Sequence, residues 1–294
     1  MNLRHLDLVQ LAYLRAVAQR GSVTGAAQAL SVAPQTVSGQ LGVLEERLGV
    51  SLLERAGRGV RLTDVGRLVL EHAADMLGRG EDLLRALEGA SGRPATFAVG
   101  IDEIVPKLVA RRFLEPVLAL DPPPRLLCRE GNEPELLDDL RARRLDAVLA
   151  TGVPADTRGL SVKPLATSAV AVFGTTRLAR RFRPRFPASL NGAPLLLPGA
   201  AGEARRLVDT WLASRGLEPR VAGEFDDAGL REAFGAAGAG LFLAPELIAP
   251  ALRQVYGVER VGVLGELVAR YFLVTPLRPH RPPAQAVIEA QAAA

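Results

Sequence analysis

The sequence predicts a protein in two parts: a short all-α unit built as a winged helix-turn-helix, followed by a larger α/β domain. Three observations predict this. The first sixty residues carry helical periodicity cut at short intervals by turn residues. An apolar stripe at three- and four-residue steps then runs from about residue 64 to 90, interrupted at Gly78 and Gly80. Beyond residue 95 the pattern changes to short apolar runs alternating with amphipathic segments, which is how a mostly parallel sheet reads.

Residues 6–20 place Leu8, Leu11, Ala12, Leu14 and Val17 on one helical face, and Gly21 ends that helix. Ser22 is the N-cap of a second helix over 22–30, and residues 31–33 form a tight turn. Pro34 suits the first turn of a third helix over 34–48, where its missing N–H costs nothing. Val37, Leu41, Leu44 and Leu48 form the buried stripe of that helix. Its outer face then carries Gln35, Thr36, Ser38, Gly39 and Gln40 near the N-terminus, where a recognition helix meets base edges. Two short apolar runs flank Ala56-Gly57-Arg58-Gly59, the pattern of a hairpin wing. Arg55, Arg58 and Arg61 along it would lie on phosphates.

These residues carry a resemblance. The run GSVTGAAQAL, the segment PQTVSGQL-x-x-LEERLG and the wing LLER-x-x-RG-x-x-LT-x-x-G are collinear over about sixty residues with the LysR-type transcriptional regulators. The resemblance implies a DNA-binding unit over 1–63, with Ser22, Pro34, Gln35, Thr36, Ser38, Gln40, Arg55 and Arg58 at duplex promoter DNA. It implies a dimerisation helix over 64–91, and a homodimer or homotetramer that would also meet RNA polymerase. Gly39 departs from the pattern, because the family commonly has an arginine directly after the recognition-helix serine. The 64–90 stripe (Val65, Val69, Ala73, Met76, Leu83 or Leu84, Leu87) is expected to be an exposed seam, since nothing adjacent would cover it. Gly89 to Pro94 reads as a hinge.

Strands are expected at 96–101, 125–130 and 146–151, and again at 169–174, 194–198, 221–225, 240–245 and 270–276, with helices running to about 119 and over 134–144, 203–215 and 227–237. Two such sets, crossed twice by the chain, are similar to the periplasmic-binding-protein-like sensor domain of the family. Its first lobe is expected at about 92–166 and 268–294, its second at about 167–267. Ligands of open α/β sheets bind beyond the carboxyl ends of strands. Here those ends supply Asp102, Glu103, Glu130, Gly131, Asn132, Thr151, Pro198, Gly199, Asp226 and Asp227. The set is acidic. Many family members have Ser or Thr at the position of Asp102 and capture an anion. Carboxylates suit a hard cation instead, with Na+ held by Asp102, Glu103 and Asp226 as one reading and helix capping by the same aspartates as the other. FAVGIDEIVPKLV (97–109), LLLPG (195–199) and GEFDDAGLREAFGA (223–236) are similar to stretches of family members that activate a Na+/H+ antiporter gene in response to sodium and alkaline pH. A small organic metabolite is the competing effector.

Composition narrows the rest. At 294 residues and 48% hydrophobic the chain can bury a sizeable core. No apolar run approaches the roughly 20 residues of a membrane span. Asp7, Arg15 and Arg20 break the N-terminal apolar pattern that a secretory leader would show, so a cytoplasmic location is expected. Cys128, the one cysteine, excludes an internal disulfide and is expected in the core of its apolar run. His5, His72 and His280 show no ligand spacing. No nucleophile arrangement supports an enzyme, and FGAAGAGLFLAP (234–245) lacks dinucleotide-binding spacing. A free solute-binding protein is the remote alternative, opposed by the helix-turn-helix. The formal charge is only +4, so basicity by itself says little about nucleic acid.

Overall fold

The computed structural model describes residues 2, 5–57, 59–90, 95–277 and 281–293, and the chain divides into two compact units, Met1–Arg93 and Pro94–Ala294. The first holds α1 (Leu8–Arg20), α2 (Val23–Leu30), α3 (Pro34–Leu48), the hairpin β1 (Leu53–Ala56) and β2 (Gly59–Leu62), and α4 (Asp64–Ala90). The caps are local chemistry. Asp7 accepts from Val9 N–H at 2.8 Å and Ser22 Oγ from Gly25 N–H at 3.1 Å, while Gly21 and Gly49 end α1 and α3 with φ of 64° and 69°. Leu11, Leu14, Val17, Val37, Leu41, Leu44 and Leu52 close the core, where truncation of one leucine to alanine costs about 2–5 kcal/mol.

The expected seam on α4 is corrected between Val69 and Leu77, while Val65 stays exposed. Ala73 and Leu77 are buried in the core of this unit, with Val69 and Met76 packed against it, because α1 lies along the helix and Arg15 pairs with Glu81 at 3.0 Å. Leu83, Leu84 and Leu87 remain exposed. Gly89 and Ala90 still belong to α4, and the rest of the expected hinge, 91–94, lies outside the described residues.

The second unit is built on one eight-stranded mixed sheet. In chain order it contains β3 (Thr96–Asp102), α5 (Lys107–Leu114), β4 (Arg125–Gly131), α6 (Glu133–Arg141), β5 (Ala147–Ala150), β6 (Leu160–Thr175) and α7 (Thr176–Phe182). There follow β7 (Pro194–Pro198), α8 (Glu203–Ala213), β8 (Arg220–Phe225), α9 (Ala228–Ala236), β9 (Leu241–Pro245), α10 (Ala249–Tyr256), β10 (Val258–Pro276) and α11 (Pro283–Ala290). The sheet order is β4-β3-β5-β10-β6-β9-β7-β8. Parallel β4, β3 and β5 make one lobe and parallel β9, β7 and β8 the other. The antiparallel pair β6 and β10 lies between them and belongs to both, since β10 pairs with β5 at one end while β6 pairs with β9 at the other. One core runs under this pair from Phe97, Val109 and Phe113 through Tyr271 to Phe173, Leu196 and Phe242.

Cys128 is exposed rather than buried. Its strand, β4, is the edge of the sheet, where Leu126 turns to the core while Leu127 stays 43% exposed. An apolar run on an edge strand covers only one face.

Candidate DNA interface and effector cleft

On α3, Pro34, Gln35, Thr36, Ser38, Gly39 and Gln40 are all exposed while Val37, Leu41 and Leu44 face the core, so the helix presents one polar stripe. Two of the expected contact residues have structural partners. Gln40 Oε1 accepts from the amide of buried Gln10 at 2.9 Å, which fixes the pitch of α3 on α1, and the Ser22 hydroxyl is the cap of α2. Gln35, Thr36 and Ser38 keep their polar ends outward. An added Cβ at Gly39 would meet nothing within 4 Å, so the missing arginine is not excluded by space.

The wing is tied in from two sides. Glu45 on α3 accepts from Leu52 and Leu53 N–H at 2.6 and 3.0 Å, and Val60 N–H donates to Gly21 O at 3.1 Å. Gly59 is required there, because a Cβ would lie 2.5 Å from Gly21 O. Arg61 is neutralised across the hairpin by Glu54 at 2.7 Å, while Arg55 is exposed and Arg58 lies outside the described residues.

In the α/β unit the strand ends converge as expected of the topology. Asp102 is 3% exposed, accepting from Ile104 N–H at 3.3 Å and from the Thr151 hydroxyl at 3.5 Å. Its carboxylate therefore organises the turn after β3. Glu103 N–H donates to the Gly131 carbonyl at 3.1 Å, and Asn132 caps α6. Asp227 caps α9, and Asp226 rests against the Cα of Gly199, where any Cβ would strike its Oδ1. Pro198 O accepts from Arg205, which also binds Glu224 at 2.7 Å.

Sequence reasoning missed Lys107. Its ammonium pairs with Glu130 of its own lobe and lies 4.0 Å from Asp227 of the other. Its signal was present, as one of only two lysines and at the start of the helix that follows the first strand end. Glu232 was missed too. It is 2% exposed on α9, and burial, reinforced by Asp227 and opposed by Arg231, pushes its carboxyl up to about 7. Among the described residues no three carboxylate, histidine or cysteine groups gather to hold a metal ion, so Asp102, Glu103 and Asp226 do not form a cage for Na+. Nor is any helix among them long and apolar enough to cross a membrane.

A winged helix-turn-helix joined to a two-lobed α/β unit with a charged cleft defines a ligand-responsive DNA-binding regulator. The comparisons identify the class: residues 8–67 match the bacterial regulatory helix-turn-helix protein, lysR family, and residues 90–293 the LysR substrate binding domain. The chain belongs to the LysR family of transcriptional regulators. It is similar to the transcriptional activator protein NhaR of Escherichia coli, 31% identical over 277 residues that span 93% of this chain and 91% of that one. It is 26% identical to the uncharacterized HTH-type transcriptional regulator YcgK of Bacillus subtilis, over 83% and 81% of the two chains. Its fold matches full-length LysG of Corynebacterium glutamicum with TM-score 0.62 at 20% identity over 98% of both chains, and CbnR with TM-score 0.54 at 24% identity over 98% and 100%.

Proposed function

We propose that this regulator is an activator that responds to sodium and alkaline pH at the promoter of an antiporter gene, acting as an oligomer joined through α4. The likeness to an activator along nearly the whole chain supports the first part. The carrying observation for the second is the Lys107 ammonium held between Glu130 and Asp227, a cation site shared by the two lobes and occupied by the protein's own side chain. All three groups are close to half exposed, so the pair is worth at most about 1 kcal/mol and yields to competing cations. Sodium then competes for these carboxylates without a dehydrated cage, and lobe angle follows. Exposed Leu83, Leu84 and Leu87 on α4 support self-association.

A small organic effector is the second reading, favoured by the absence of a metal-holding cluster and by the Thr151–Asp102 pair at the cleft floor. Melting of the full-length protein in NaCl against KCl at constant ionic strength distinguishes the two. A sodium-specific shift that grows in Lys107→Gln, where the competing ammonium is gone, and disappears in Glu130→Gln is expected. Identical behaviour in both salts refutes the sodium reading.

A further inference from the structure

The second lobe carries a charge concentration that neither DNA reading by α3 nor the cleft uses. Helix α7 and the turn after it hold Arg177, Arg180, Arg181, Arg183 and Arg185, five exposed arginines within nine residues. Leu178, Ala179 and Phe182 face the core, so Arg177, Arg180 and Arg181 share the outer face at three- and four-residue spacing. The ridge borders a groove of about 1270 Å³ whose lining includes Arg253 and Arg260. Among the described residues two carboxylates answer these seven arginines: Glu259 binds Arg183 at 2.8 Å and also feels the charge of Arg180, and Glu246 pairs with Arg260. Among the described residues Arg177, Arg180, Arg181 and Arg185 form no ion pair, and Arg181 lies over the Phe182 ring at 5.1 Å. The patch thus holds more positive charge than the +4 of the whole chain.

We propose that the α7 ridge binds the phosphate backbone of duplex DNA, as a second, sequence-independent contact of the same regulator. The chemistry selects this occupant over a protein. A protein partner needs an apolar anchor, and the ridge offers none, its large apolar side chains being turned inward. Guanidinium groups that outnumber the neighbouring acids along one face are the footprint of a polyanion, which they meet bidentately. Such a contact stabilises DNA that passes the effector unit without reading its sequence.

The test uses the full-length protein and mixed-sequence duplex of about 60 base pairs, with affinity followed against salt by fluorescence anisotropy. The variant combines Arg177→Gln, Arg180→Gln and Arg185→Gln. A control combines Arg112→Gln, Arg125→Gln and Arg220→Gln, which removes equal charge from exposed positions elsewhere in the unit. The ridge variant is expected to lower the slope of log K against log salt by about 2–3 and to weaken binding roughly tenfold or more near physiological salt. The control should change the slope by less than about 1. Equal losses in both variants, or none in either, overturn the proposal. Unchanged DNA binding with loss of activated transcription in a purified system also overturns it, in favour of an acidic face of the transcription machinery. Unaltered Trp211 fluorescence shows that the variants retain the fold.

Discussion

Replacing Glu232 by Gln removes a buried charge without changing the shape of the side chain. In the folded protein this carboxyl is pushed up to about 7 from an ordinary 4.5 by burial, with Asp227 adding to the effect and Arg231 opposing it. Across the packing, Tyr256 of α10 and Tyr271 of β10 are the titratable groups that feel its charge, and both are raised themselves, burial first and Glu232 after it. A raised folded pKa means that the native state binds this proton more tightly than the unfolded chain does. The resulting stability is fully present below about 4.5 and is lost as pH rises through about 7. At about 1.4 kcal/mol per unit, the loss at alkaline pH is about 3 kcal/mol. The glutamine variant should match the wild type near pH 4.5. Above pH 8 it should be more stable by up to that amount, which for a unit of this size raises the melting temperature by roughly 6–12 °C. Trp211, the single tryptophan, is buried on α8 in the same unit and reports its unfolding separately from the DNA-binding unit. A stability difference that stays flat from acid to alkaline pH, or a variant less stable throughout, would falsify the reasoning.

The DNA face yields three further expectations. Gly39→Arg restores a cation where space is free and replaces the poorest helix former short of proline, so affinity for DNA should rise several-fold and the salt slope steepen by about 0.9, read by anisotropy. Gln35→Ala should relax discrimination between cognate and scrambled duplexes by about 1–3 kcal/mol, whereas Arg58→Ala should weaken binding to both alike; equal losses on the two duplexes for both variants would refute that division. Gly66→Ala would place a Cβ 2.1 Å from the Leu52 carbonyl, a backbone contact that cannot swing away. The wing must shift, and both the thermal stability of the N-terminal unit and DNA binding should fall; wild-type melting and binding would show that contact to be harmless.

Much of this was legible because it is local. Caps, glycine stops and apolar periodicity placed α1 to α4 and the hairpin, since each depends on residues within one or two turns of chain. Strands β6 and β10 were legible only in part, as 169–174 and 270–276. Their remaining stretches carry Ser161, Lys163 and Thr167, or Glu259, Arg260 and Glu266, which blur the apolar run. Helices α7, α10 and α11 went unread for a similar reason, being about two turns each with one to three buried side chains. At the cleft, strand ends fixed which residues were candidates but not their partners. Lys107 meets Asp227 across 120 positions of sequence, and Glu232 owes its altered acidity first to burial in the packed unit. Such properties belong to the packed state.

The two strands that pass through both lobes also limit how the lobes can move. A flexible linker would let them swing freely; a paired ribbon resists bending and yields most readily to torsion. Its ladder is already interrupted at one place, where Val263 opposes Ala171 and Val268 opposes Ala169, leaving four residues of β10 against one of β6. That slack works like the loose coil in a torsion bar. Rotation imposed by whatever occupies the cleft collects there, while the shared core around Tyr271 and Phe113 keeps the rest stiff. A ligand that bridges the lobes would accordingly act on this domain by twisting one lobe against the other.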